Sequence, residues 1–140
     1  MLSLQIEQEN IKNFMNNLFK NICFDIFQLK TMEITASHFI SITEPDSNNI
    51  EKTLWINIRP VVLNLLKYIT KPIRVKIVFS HPNTALIHSN LKFAFINIIY
   101  NGETASITTG VSETKFTMDK LHETAWDAWV MDFFTKGEII

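Results

Sequence analysis

Residues 93–109, F-A-F-I-N-I-I-Y-N-G-E-T-A-S-I-T-T, decide the fold class. Two apolar-rich runs flank Asn101-Gly102, and an Asn-Gly pair favours the tight turn that joins antiparallel strands, because both central residues must reach positive φ. A hairpin of Phe93–Tyr100 with Glu103–Thr109 follows, with Ile96 opposite Ile107 and Ile98 opposite Ala105. Ala94, Ile96, Ile98 and Tyr100 share one face of the first strand, while Phe93, Phe95 and Ile99 share the other with Asn97 among them. That strand is apolar on both sides. Cover from elsewhere in the chain is the ordinary explanation, and a second copy is the alternative.

On the C-terminal side the stretch 117–137, T-M-D-K-L-H-E-T-A-W-D-A-W-V-M-D-F-F-T-K-G, reads as a helix from Thr117 to Lys136. Thr117 is placed to cap it, Asp119 lies in the first turn, Lys136 in the last, and Gly137 just past the end. At about 100° per residue, Met118, Leu121, Ala125, Ala128, Trp129 and Phe133 form an arc facing the core. Trp126, Val130 and Phe134 extend the apolar surface beyond one core contact, which nominates them, with Phe93 and Phe95, as a protein interface. Large aromatic side chains anchor such interfaces.

Upstream, Leu2–Ile6 alternates as a short strand. A helix over Gln8–Ile22 buries Ile11, Phe14, Met15, Leu18, Phe19 and Ile22. Phe24–Ile34 and Phe39–Thr43 read as strands, and the polar stretch Glu44–Glu51 as a loop. A second helix over Leu54–Ile69, with Thr53 as candidate cap, buries Trp55, Ile58, Val62, Leu65, Leu66 and Ile69. Pro60 requires either a kink or a regular helix that begins near Arg59 with proline in its first position; the second is our expectation. Ile73–Phe79 alternates as a half-buried strand, and residues 81–90 form an irregular crossing. The order βαββαβββα predicts one α+β domain over residues 1–140, a mostly antiparallel, curved sheet of about six strands packed by three helices.

Composition bounds the function. The chain has 140 residues, 46% hydrophobic and 19% charged, with three glycines and four prolines. It is long enough to bury about 68% of its unfolded surface without a disulfide or metal. The single cysteine, Cys23, suits a reducing compartment and excludes a Cys-pair zinc site. A cytoplasmic protein without a membrane span is therefore expected. His38, His81, His88 and His122 show no metal-ligand spacing, so no metal, cofactor or catalytic residue is assigned. His122 and Asp132 fall in the apolar arc of the last helix but lie about 15 Å apart along its axis, too far for a dyad. Cys23 reads as a small apolar residue rather than a nucleophile.

Charge is unevenly spread. Residues 52–102 hold seven basic and no acidic side chains, whereas 1–51 and 103–140 each hold three basic and seven acidic ones. Lys67, Lys71, Arg74 and Lys76 are the candidate cluster for an anion or nucleic acid. Internal pairing with the acidic face of the last helix, or capping of carbonyls at the end of the second helix, is the competing assignment, supported by the net charge of −1 and pI near 6.4.

The segments F-D-I-F-Q-L-K-T-M-E-I-T (24–35), I-R-V-K-I-V-F (73–79), T-T-G-V-S-E-T-K-F-T-M-D-K (108–120) and A-W-D-A-W-V-M-D-F-F (125–134) resemble a small family of uncharacterised bacterial proteins of this length. That resemblance implies one cytosolic domain and transfers no catalytic residue. The element order is also similar to that of one sliding-clamp domain, which would make Lys12, Asn13, Asn16 and Lys20 the residues turned toward DNA. The helix after Thr117 has no place in that layout, and fold order does not fix function. Three readings follow: an interaction module that self-associates or docks a protein, a nucleic-acid binder using the basic middle, and a small enzyme whose polar groups are gathered by the fold.

Overall fold

The structure, a computed structural model, describes residues 1–45, 53–69 and 71–139. Its elements are β1 (Ser3–Ile6), α1 (Gln8–Phe19), β2 (Gln28–Thr35), β3 (Phe39–Thr43), α2 (Trp55–Leu66), β4 (Arg74–Ser80), a single 3₁₀ turn at Thr84–Leu86, β5 (Leu91–Tyr100), β6 (Ala105–Glu113) and α3 (Leu121–Lys136). Six strands form one antiparallel sheet in the order β1-β6-β5-β4-β2-β3, and the α+β order expected from sequence is the one observed. The polar loop lies from residue 46 onward outside the described residues.

All three helices cover the same face of the sheet. Ile34, Ile77, Phe79, Ala94, Ile96 and Ile107 point into it and are fully buried. Phe79 is the centre of this layer: Trp55 meets it edge-on at 5.2 Å, and Phe24 and Phe27 stack on it at 5.5 and 5.6 Å. Phe133 and Phe134 of α3 close over Phe24. Burying such rings supplies most of the driving force for the layer, roughly 1.5–3 kcal/mol each.

Tertiary contacts move several boundaries. α1 stops at Phe19, and Ile22, expected to be buried, is 76% exposed. Phe24–Phe27 is a pair of turns rather than strand, closed by the Asp25 amide on the Ile22 carbonyl and the Phe27 amide on that of Phe24. α2 starts at Trp55 instead of near Arg59, and Thr53 does not cap it. Two bonds fix that start: the Trp55 amide donates to the Phe27 carbonyl at 2.9 Å, and its indole N–H to the Leu18 carbonyl at 3.1 Å. Pro60 therefore lies inside the helix, where it removes one backbone donor, and the buried anchors outweigh that loss.

The hairpin loop has four residues, not two. Asn101 accepts the Glu103 and Thr104 amides on its side-chain oxygen at 2.9 and 2.8 Å, and Gly102 takes φ +100°. The register moves by two, to Tyr100 opposite Ala105, Ile98 opposite Ile107 and Ile96 opposite Thr109. A shift of two keeps every side chain on its expected face.

The last helix is the main correction. It starts at Leu121, preceded by Lys120 at φ 56°, while Asp119 accepts the Leu121 amide. Thr117 does not cap. Met118 and Leu121, expected inside, are 87% and 57% exposed. The buried stripe is His122, Trp126, Val130 and Phe134, so the three residues nominated as an interface ridge are core. A helix that is apolar over much of its circumference does not reveal its rotation, and the sheet chose the bulky stripe.

Candidate functional site

With every helix on one side, the opposite face of the sheet has no cover among the described residues. Strand register places Thr108, Asn97, Val78, Thr31 and Thr43 in one row across it, and Ser106, Ile99, Lys76, Glu33 and Ser41 in the next. A hydroxyl-rich surface of this kind is the usual solvated face of an antiparallel sheet. Phe93 and Phe95 are the departure. Their rings stack at 6.1 Å on β5, and Phe93 is 45% exposed.

Two bulges shape this face. The β2–β4 register slips between Leu29 and Thr31, and the β5–β6 register slips between Leu91 and Phe93. The residues inserted are Lys30 and Lys92. Their ammonium groups lie 5.8 and 5.6 Å from the Phe93 ring centre. Bulges re-aim side chains in this way, and a cation within about 6 Å of a ring face is attracted to it.

Beside Phe93 runs a shallow hollow of about 370 Å³, walled by Phe95, Val78, Asn97, Thr31, Thr43 and the Lys30–Glu44 ion pair at 3.1 Å. A separate, tighter cleft of about 140 Å³ shares Lys30 and Glu44 with it and is lined also by Ser80, His81, Thr84 and Lys92. His81 sits edge-on to Trp129 at 4.9 Å and to Trp126 at 6.0 Å. Burial lowers its pKa below the usual imidazole value. Its Nδ1 accepts the Asn83 amide at 3.0 Å, so the neutral ring carries its proton on Nε2. A neutral imidazole near a carboxylate and a serine is a set of groups able to handle a proton, but Ser80 donates to Gln28 rather than to His81. No nucleophile–base pair is formed here.

The other sequence candidates are scattered. Arg74 and Lys76 lie on the open face, and Arg74 reaches Glu33 at 3.9 Å. Lys67 lies on the helical side with the C-terminal end of α2, and the exposed Lys71 belongs to the segment leading to β4, so the four do not make one patch. Arg74 pairs within the sheet rather than with the last helix. Arg59 grips Asp25 with two bonds of 2.9 Å, and the hydrogen-bonded carboxylate raises the guanidinium pKa. His122 is buried with Nε2 3.1 Å from Glu113, within ion-pair distance but without hydrogen-bond geometry. It holds the first turn of α3 near the end of β6 and lines none of the hollows described. Asp132, expected in the apolar arc, is exposed and pairs with Lys136 at 3.2 Å. Cys23 is a free thiol, half-buried. Among the described residues no cluster of His, Cys, Asp or Glu could hold a metal ion, and no helix is long and apolar enough to cross a membrane.

Lys30 and Lys92 escaped the sequence reading, although a signal was present. The buried residues run Leu29, Met32, Ile34 in β2 and Leu91, Ala94, Ile96 in β5. A gap of three within a period of two marks an inserted residue.

Over residues 17–140 the sequence matches DUF5721, a family of unknown function, and the chain belongs to that family. No curated protein and no solved structure matches. The sliding-clamp layout thus has no structural relative behind it. Lys12 and Asn13 lie on the exposed side of α1 and Lys20 is exposed just past its end, with Asn16 half-buried.

Proposed function

We propose that this member of the DUF5721 family is a non-enzymatic interaction module, cytoplasmic in keeping with its lone free thiol, that self-associates by pairing the open faces of two sheets. The observation that carries the reading is the Phe93 ring, stacked on Phe95 and still 45% exposed on the open face of the sheet. The partner is a second copy because this surface carries both halves of a fit. Phe93 projects from it, and the largely apolar hollow beside Phe95 and Val78 recedes from it. A two-fold interface needs a patch that complements itself. Trp126, Val130 and Phe134 support the module from behind as core residues.

Light scattering coupled to size exclusion tests this. The wild type is expected at twice the chain mass, and Phe93→Ser with Phe95→Ser at the chain mass with an unchanged circular dichroism spectrum. A wild type that stays monomeric at high micromolar concentration defeats the reading.

Lys30 and Lys92 favour a second reading. A half-exposed ring with two lysine ammonium groups within 6 Å of its centre, on an open sheet face, is a platform beside which a base of single-stranded nucleic acid can pack while the lysines meet phosphates. Lys76 and Arg74 lie along the same face, with Glu33 beside them. A salt-dependent anisotropy change with a labelled oligothymidine, lost in Lys30→Glu with Lys92→Glu, supports it; no change at low salt removes it.

A further inference from the structure

On the helical side of the molecule lies a second hollow, independent of the open face. It is a groove of about 400 Å³ between the C-terminal halves of α1 and α2, in the size range of roughly 300–1,000 Å³ typical of small-molecule sites. Met15 and Phe19 form one wall and Leu63 and Leu66 the other, while Val75 and Tyr100 of the sheet form the floor. Apart from Asn16 and two lysines, the lining is apolar. Tyr100 does not change this, because its hydroxyl donates to the Gly102 carbonyl at 2.8 Å.

The mouth is different in kind. Lys20 and Lys67, the residues that end α1 and α2, both line it, and no acidic side chain does. Lysines at helix C-termini ordinarily satisfy terminal carbonyls and the negative end of the dipole. Here much of that work is done by other groups. The Leu18 carbonyl takes the Trp55 indole, the Lys20 carbonyl takes Arg59, and the Asn64 and Leu65 carbonyls take the backbone amides of Lys67 and Tyr68. Neither ammonium group makes an ion pair among the described residues. Two positive charges without an ion-pair partner among the described residues thus line an otherwise largely apolar slot.

We infer that this groove binds a single-chain amphiphile with an anionic head, such as a free fatty acid, its tail along Phe19, Leu63 and Leu66 and its carboxylate between Lys20 and Lys67. Charge complementarity selects the head, and apolar burial selects the tail. No bond is made or broken.

Isothermal titration of the full chain with octanoate, decanoate and dodecanoate, below their micellar concentrations, tests the inference. Saturable one-to-one binding is expected, tightening by about fourfold for each methylene that enters the groove. Dodecyltrimethylammonium, with the same tail and the opposite head, is expected to bind at least about tenfold more weakly, because it meets like charge. Lys20→Glu with Lys67→Glu should reverse that preference, whereas Lys136→Glu, away from the groove, should not. Equal binding of both head groups, or no dependence on tail length, overturns the inference. So does a chain that ignores dodecanoate but binds anionic phospholipid vesicles, since that places the surface on a membrane. Phe93→Ser with Phe95→Ser should leave dodecanoate binding intact, so this result and the self-association result stand or fall separately.

Discussion

The indole N–H of Trp126 donates to the backbone carbonyl of Phe95 at 3.0 Å, so α3 is fastened to the same residue whose ring faces the other side of the sheet. The bond and the fully buried indole make Trp126 a support of the open face rather than part of it. Trp126→Phe keeps an aromatic ring but removes the bond to that carbonyl and leaves a gap. A loss of about 2–3 kcal/mol is expected in a urea unfolding curve. Phe95→Ser, which preserves the carbonyl, should cost less than Trp126→Phe; the reverse order would show that the ring of Phe95 is core.

Arg59 and Asp25 connect α2 to the turn after α1 through a bidentate pair in which both side chains are mostly buried. Removing one partner leaves the other desolvated without its counter-charge. Arg59→Met and Asp25→Asn should each lower stability by about 2 kcal/mol, and the double variant by clearly less than their sum. Strict additivity in that cycle would mean that the pair contributes nothing.

The four-residue loop depends on two side-chain bonds and one positive φ. Asn101→Ala removes the acceptor for both the Glu103 and Thr104 amides and should cost about 1–2 kcal/mol. Gly102→Ala strains a residue at φ +100° and should cost about 1 kcal/mol or more. Thermal melts of the two variants check both figures.

Burial of His81 gives the fold a pH dependence whose sign follows from the desolvation of the ring. Burial holds its folded pKa below the unfolded value of about 6.5. The unfolded chain therefore takes up the proton first. Its contribution is fully present above the unfolded pKa and is lost as pH falls toward and through the folded one. The urea midpoint should fall between pH 7.5 and 5, and His81→Gln should flatten part of that slope. An identical slope in the variant would assign the dependence to other groups.

Much of this was legible in the sequence, and the misses have physical causes. Alternation in β4 and β5 fixed which side chains face inward, and the Asn-Gly turn fixed that they pair antiparallel. A wrong loop length was harmless there, because an even slip preserves parity. Rotation of α3 was illegible because Leu121, Ala128, Trp129 and Met131 blur its apolar stripe, and only the shape of the sheet beneath distinguishes Trp126 from Met118. The start of α2 was set by Trp55 reaching carbonyls at Phe27 and Leu18, partners distant in sequence. For the site, Phe93 and Phe95 were visible from their spacing. The two lysines beside them were hidden by bulges that a strict two-residue period passes over.

A one-to-one mixture of isotope-labelled and unlabelled chains, read by filtered NOE spectroscopy, tests the paired-face reading most directly. Cross-peaks between the Phe93 ring of one copy and the Val78 methyls of the other are the predicted result. Intermolecular contacts confined to helical residues such as Leu63, or none at all at millimolar concentration, would contradict it.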